Sequence, residues 1–312
     1  VVVRVARAMA VDPRPSFLPA LLDLLGRREA RADARAALLA QGAAGLEFLG
    51  RALHDHALPV ELRRHLPRTI ALFEPEPAGA VLQARLMDEP SGVVRYRILR
   101  AMNRLAASAG VAFDPGLLGR AAGATAESVL RLVHWRLVLE RGAGEDASRA
   151  TPGHGLLVQL LRDKEEQAVE RLFRLLALLH RAEDFKGVFR GLQSVDPRSR
   201  ASSRELLENV LRPPLRDPVL AIVHEGESEE RLARGRELFA PPTLGYTELL
   251  ALLLERGGES LRCVAAFHVG ELGLAELRPA LEARAGSEPS FFLARVLERT
   301  LGALDGREGD RA

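Results

Sequence analysis

The sequence predicts an all-α fold built as an array of helical repeats. Three observations carry this reading: the stretch from Glu183 to Leu211 spells a complete helix-turn-helix unit, pairs of amphipathic segments recur along the chain, and the 47% apolar content includes only 4% aromatics. Leu and Ala carry most of the apolar weight, which suits close-packed helices. In the stretch EDFKGVFRGLQSVDPRSRASSRELLENVL, Phe185, Val188, Phe189 and Leu192 recur at helical spacing, and Leu206, Leu207, Val210 and Leu211 form a second apolar face. Asp196 is placed to cap the second helix, and Pro197 falls in its first turn, where a missing N–H costs nothing.

From the start of the chain the same grammar repeats. After Asp12-Pro13, Phe17 to Leu25 marks one helix and Ala34 to Leu39 a second, ending at Gly42. The next pair is Leu46 to Leu53 and Leu62 to Phe73, with Pro59 near the second start; a third is Ala80 to Met87 and Val93 to Leu105, split by Pro90-Ser91-Gly92. Equivalent helices lie about 30 residues apart, within the range of helical repeats. From Asp114-Pro115 the elements lengthen: one helix through Leu139, the loop Gly142 to Gly155, then a helix from Leu156 to His180. The pattern resumes at Glu183 and loosens at Arg212-Pro213-Pro214 and in the acidic run His224 to Glu230. Helices are then predicted at about 229–239, 246–255, 260–272, 274–285 and 291–304, with a polar tail from Asp305.

The second helices share a detail. Ala34-Arg35, Leu62-Arg63, Val94-Arg95 and Leu261-Arg262 each place an apolar residue before an arginine, and Ser199-Arg200 is a weaker copy. This pattern resembles HEAT repeats, in which such an arginine bonds an acidic residue or a loop carbonyl. The resemblance implies an α-α superhelix of the HEAT-like, armadillo type: one solenoid over 1–312, with N-terminal repeats at 1–110, a long helical hairpin at 111–182, C-terminal repeats at 183–304 and a frayed tail at 305–312. It also implies that Arg35, Arg63, Arg95, Arg200 and Arg262 are structural. RRHLPRTIALF, VVRYRILRAMNRL and CVAAFHVGELG, together with the Phe189–Leu211 segment, further resemble the soluble region appended to bacterial ATP/ADP translocase-like or major-facilitator-like membrane proteins. That resemblance implies a cytoplasmic module of a transporter-like protein. The opening VVVRVARAMA, in mid-pattern, agrees with a piece of a longer chain.

Several chemistries find no support in the residues. Net charge is only +2, and Cys263 is the sole cysteine, which excludes an intrachain disulfide and a multi-thiolate zinc site. No apolar run reaches the ~18 to 20 residues of a membrane span. Glycine-rich phosphate loops are absent, and no cofactor is expected. His54, His56 and His65, near Asp55 and Glu61, match no metal-ligand spacing. Cys263 and His268 lie on one helix about 140° apart, which does not make a nucleophile and base. Adjacent Glu165 and Glu166 point apart, and Trp135 beside His134 reads as core.

One candidate surface remains. Arg64, Arg68, Arg97, Arg100, Asn103 and Arg104 occupy polar faces of two successive second helices, which in a HEAT array line the concave side. They would grip an acidic peptide, a phosphate or a lipid headgroup, with a solvated, salt-bridged face as the plainer reading. Glu205 and Glu208 interrupt the stripe, so a nucleic-acid partner is not expected. The expectation is therefore a chain that is not an enzyme: a scaffold for an unidentified protein partner, joined to a membrane domain of the same longer chain. Two alternatives keep other classes open, a HEAT-like nucleic-acid-binding protein of DNA glycosylase type and a bilin-lyase-like enzyme. One Trp and two Tyr are few for the former.

Overall fold

A computed structural model describes residues 2–286 and 290–309. The fold is all-α, of the HEAT-like kind, and no strand occurs among the described residues. The helices are α1 (Val2–Val11), α2 (Leu18–Gly26), α3 (Arg31–Ala40), α4 (Gly42–His54), α5 (Val60–Arg63), α6 (Leu66–Ile70), α7 (Pro75–Leu86), α8 (Gly92–Ala109) and α9 (Pro115–Glu145). They continue with α10 (Pro152–Leu179), α11 (Phe185–Leu192), α12 (Pro197–Val210), α13 (Arg216–Ile222), α14 (Ser228–Arg234), α15 (Tyr246–Arg256), α16 (Glu259–Leu272), α17 (Arg278–Ala285) and α18 (Phe291–Gly309). Neighbours in sequence pack as hairpins, among them α2 with α3, α7 with α8, α11 with α12 and α15 with α16.

Backbone chemistry explains where these helices begin and end. Asp196 accepts the backbone N–H groups of Arg198 and Ser199 at the start of α12, and Asp184 accepts that of Gly187 at the start of α11. The segment from Leu62 to Phe73, which reads as one helix, is two short ones. Pro67 has no N–H to return to the preceding turn, so the chain breaks at Arg64-His65 and restarts at Leu66. A 3₁₀ turn at Ala275–Leu277 precedes α17, whose Pro279 sits in the first helical turn. α18 runs through Asp305 to Gly309, so the polar stretch expected to fray begins as helix; 310–312 lie outside the described residues.

The chain forms two compact units: unit 1 comprises Val1–Thr125 and Glu170–Val210, and unit 2 comprises Ala126–Val169 and Leu211–Ala312. α9 and α10 therefore each contribute to both. In unit 1, α8 buries Val94, Ile98, Leu99, Met102 and Leu105. In unit 2, Leu249, Leu250 and Leu253 of α15, Ala265 and Val269 of α16, and Leu293 and Leu297 of α18 share one core cluster.

Candidate functional site

Unit 1 assembles a basic face from the polar sides of its second helices. On α8, Arg97, Arg100 and Arg104 are spaced three and four apart, so they form one row opposite the buried Ile98, Leu99 and Met102. Arg68 of α6 joins them, and the four arginines, with Ala71 and Ala101, line a pocket of about 80 Å³. No acidic residue lines it. All four side chains are exposed, and none has a hydrogen-bond or ion-pair partner among the described residues; Arg97 alone makes a further contact, over the ring of Tyr96.

The other two residues of the expected stripe are placed differently. Arg64 pairs with Glu61 at 2.8 Å and lines a separate depression with Asp23, Arg27, Arg31, Glu61 and His65. Asn103 is half-buried and donates to the carbonyls of Leu99 (2.8 Å) and Arg174 (3.1 Å), which ties α8 to α10 and takes its amide out of the face.

The electrostatics of this region are one-sided. Burial pushes the His65 imidazole down to about 4, and the positive charges of Arg31, Arg64, Arg35 and Arg97 add to the shift. Arg35 is lowered by burial, then by Arg68 and Arg31. His65 and Arg35 therefore both sit in a field set by neighbouring guanidinium groups.

The repeat arginines hold loops and neighbouring helices. Arg63 is 2% exposed, donates to the Leu53 carbonyl and is ion-paired with Glu89, which is 2% exposed as well. Glu89 also accepts the Ser91 N–H, and Arg95 donates twice to the Glu89 carbonyl. Arg35 donates to Thr69 Oγ1 at 3.2 Å, and Arg200 donates to the carbonyls of Ser194 and Val195. Arg262 lies half-buried in α16.

Unit 2 contains two features that the sequence reading missed. The first is a polar network: Tyr246 Oη lies 2.7 Å from His268 Nε2 and 3.1 Å from His154 Nδ1, and His268 Nδ1 lies 2.9 Å from Thr151 Oγ1. Thr151 and the Gly153 N–H both donate to Glu271. Burial raises the Tyr246 phenol to about 12 and lowers both imidazoles, so the network is neutral at its centre. The second is a cleft of about 580 Å³ formed by the C-terminal half of α9, α14 and the loop before α15. Its apolar wall includes Leu137, Val138, Leu232 and Leu244, its cations are Arg141, Arg149 and Arg236, and its acids are Glu145 and Glu229. His134 also lines it, 8% exposed, with Nε2 buried and unpartnered. A run such as LVHWRLV conceals this, because a histidine on an apolar helix gives no sign of whether its ring will be satisfied. Among the described residues no group of three His, Cys, Asp or Glu side chains is placed to hold a metal ion.

Comparison with known proteins adds little to this geometry. No family model matches the chain, and no curated protein matches it. A solved structure, human deoxyhypusine hydroxylase in complex with glycerol, matches over 94% of this chain and 97% of its own, at 17% identity and a TM-score of 0.29. That protein is an enzyme, and the match corrects the expectation of a non-enzymatic protein-interaction scaffold, which is withdrawn. At this score and identity no activity, substrate or metal passes to the present chain. No helix among the described residues is long and apolar enough to cross a membrane.

Proposed function

We propose that unit 1 recognises a phosphate-bearing ligand, with phosphate oxygens held by Arg68, Arg97, Arg100 and Arg104. The observation that carries the reading is the convergence of four unpaired guanidinium groups from two helices on one small pocket with no acid in its lining. Like charges held together weaken the fold slightly, and a surface selected for solubility alone intersperses both signs. A guanidinium fork matches the geometry of phosphate oxygens and can make two parallel N–H···O bonds. The pocket of about 80 Å³ has room for one small anionic group.

The test compares inorganic pyrophosphate, ATP and fluorescein-labelled single-stranded DNA, with binding followed over a salt series. Four phosphate contacts on a single strand give a slope of about −3 in log K against log salt. Arg68→Glu with Arg100→Glu should weaken the bound probe at least tenfold while the thermal midpoint is kept. Absence of binding by all three probes at low salt, or binding indifferent to the double substitution, refutes the proposal. Preference for DNA identifies a polymer ligand, and preference for the small phosphates a soluble one. Kinship with translocase-appended regions, and with it a cytoplasmic location, is part of the proposal on the strength of the resemblance alone. Recovery of the native polypeptide in salt-washed membranes would support it, and recovery only in the soluble fraction would remove it.

A further inference from the structure

We infer that the cleft of unit 2 is a second ligand site, built for a small amphiphilic carboxylate that carries an N–H or O–H donor. Its volume of about 580 Å³ lies within the ~300–1,000 Å³ of small-molecule pockets. Leu137 and Val138 on α9, Leu232 on α14 and Leu244 in the loop offer an apolar wall for the body of the ligand.

The three cations of the cleft are not equivalent. Arg141 is neutralised by Glu229 at 2.9 Å. Arg149 is fixed in place: its guanidinium lies 4.7 Å from the centroid of the Tyr246 ring, Nη1 donates to the Gly142 carbonyl, and Nε lies 3.5 Å from Asp146. Arg236 is exposed and has no partner among the described residues, so it is the charge available to a carboxylate. Glu145 also lines the cleft, so the preference for a carboxylate is local to Arg236.

His134 supplies the remaining specificity. The ring hydrogen-bonds to the backbone of Pro242, and because proline has no N–H the imidazole must be the donor there. Nε2 is the nitrogen without a partner, so Nδ1 carries the proton and Nε2 presents a lone pair. Burial favours this neutral form. A buried acceptor left unpaired is costly, and a donor on a ligand seated against the wall beside the ring would satisfy it. The site thus reads three features: one negative charge, an apolar body and one hydrogen-bond donor.

Indole-3-propionate combines all three in a compact probe, and biliverdin, a dicarboxylate with pyrrole N–H groups, combines them in a larger one. Titration of the full chain should give saturable one-to-one binding of at least one of them. For indole-3-propionate, methylating the indole nitrogen should weaken binding at least tenfold, and the same loss should follow from converting the carboxylate to an amide. Arg236→Glu and Ala233→Trp, both at exposed positions of the lining, should each weaken binding at least tenfold, whereas Arg100→Glu in unit 1 should leave it unchanged. No saturable binding of either probe below roughly 1 mM, a range set by a free energy of about −4 kcal/mol, overturns the inference. Binding that survives both cleft substitutions in a folded protein overturns it equally. Because the phosphate site lies in the other unit, loss of either activity by its own variants leaves the other assay intact.

Discussion

Glu89 offers the sharpest test of how the repeats are held together. Its carboxylate and the guanidinium of Arg63 are each 2% exposed and face one another directly, while the second carboxylate oxygen accepts the Ser91 N–H at 2.8 Å. Replacing Glu89 with alanine removes the negative charge and leaves three things behind: a buried cation, an unpaired N–H at the start of α8, and a void. Breaking a buried pair in this way costs about 3–5 kcal/mol, because the remaining charge has neither water nor partner. In a domain of this size each kcal/mol lowers the midpoint by about 2–4 °C, so Glu89→Ala should melt roughly 6–20 °C below the parent. The backbone carbonyl of residue 89 still accepts the two bonds from Arg95, which confines the loss to the side chain.

The companion substitution separates charge from packing. Arg63→Met with Glu89→Leu removes both ions and keeps apolar volume, and such replacements are often neutral or stabilising. Its stability should lie within about 1–2 kcal/mol of the parent, with a coupling between the sites of at least about 2 kcal/mol. Urea denaturation followed by far-ultraviolet circular dichroism measures both, with each unit's transition fitted separately if the two do not coincide. A loss below about 1 kcal/mol for Glu89→Ala, or a double variant as unstable as the sum of the single ones, would refute the account of Arg63 as a buried tie between repeats.

Three further outcomes follow from the geometry. Gly142 packs so closely beneath Tyr246 that a Cβ there overlaps the ring; Gly142→Ala should destabilise unit 2 by about 1–3 kcal/mol, seen as a lower thermal midpoint. Tyr246→Phe leaves His268 Nε2 without its partner inside the core and should cost about 1–3 kcal/mol, with urea titration as the check. His65 should stay neutral in a proton-detected NMR titration until about pH 4. Its folded pKa lies below the ordinary 6.5, so the unfolded chain binds more protons between those values and stability falls as pH drops through that window. A phosphate ligand would offset the arginine field and raise the His65 pKa; an unchanged His65 titration with pyrophosphate bound would count against a ligand in this region.

Much of the fold can be read from local pattern. The turn at Asp196-Pro197, the caps and the alternation of apolar faces are decided by residues within one turn of each other, and the structure places helices accordingly. The row Arg97, Arg100 and Arg104 is legible for the same reason, since spacings of three and four put them on one stripe. What cannot be read is whatever depends on distant partners. Nothing near Arg63 announces that Glu89, from the loop after α7, will bury beside it. The network of Thr151, His154, Tyr246, His268 and Glu271 joins three helices across 120 positions, and its members carry no common motif. Sequence spacing sets His268 beside Cys263 on its own helix, whereas its hydroxyl partners are Tyr246 of α15 and Thr151, just before α10. The break between α5 and α6 is an intermediate case: Pro67 is visible, but a run of apolar residues on both sides makes one helix look adequate until the missing hydrogen bond is counted.

The distribution of satisfied and unsatisfied polar groups gives the strongest guide to where this chain meets a ligand. Buried polar groups elsewhere are met with care: Arg63 by a carboxylate and a carbonyl, His268 by a phenol and a hydroxyl, Glu165 by both Arg136 and Arg231. The chain had acids available for its surface too, with 42 Asp and Glu residues against 44 Lys and Arg. Yet four arginines of unit 1 share a pocket without one, and in unit 2 an unpaired arginine and an unpaired imidazole nitrogen belong to the same cleft. In both concavities an unpaired group borders a small recessed volume, which is where a ligand is placed to satisfy it.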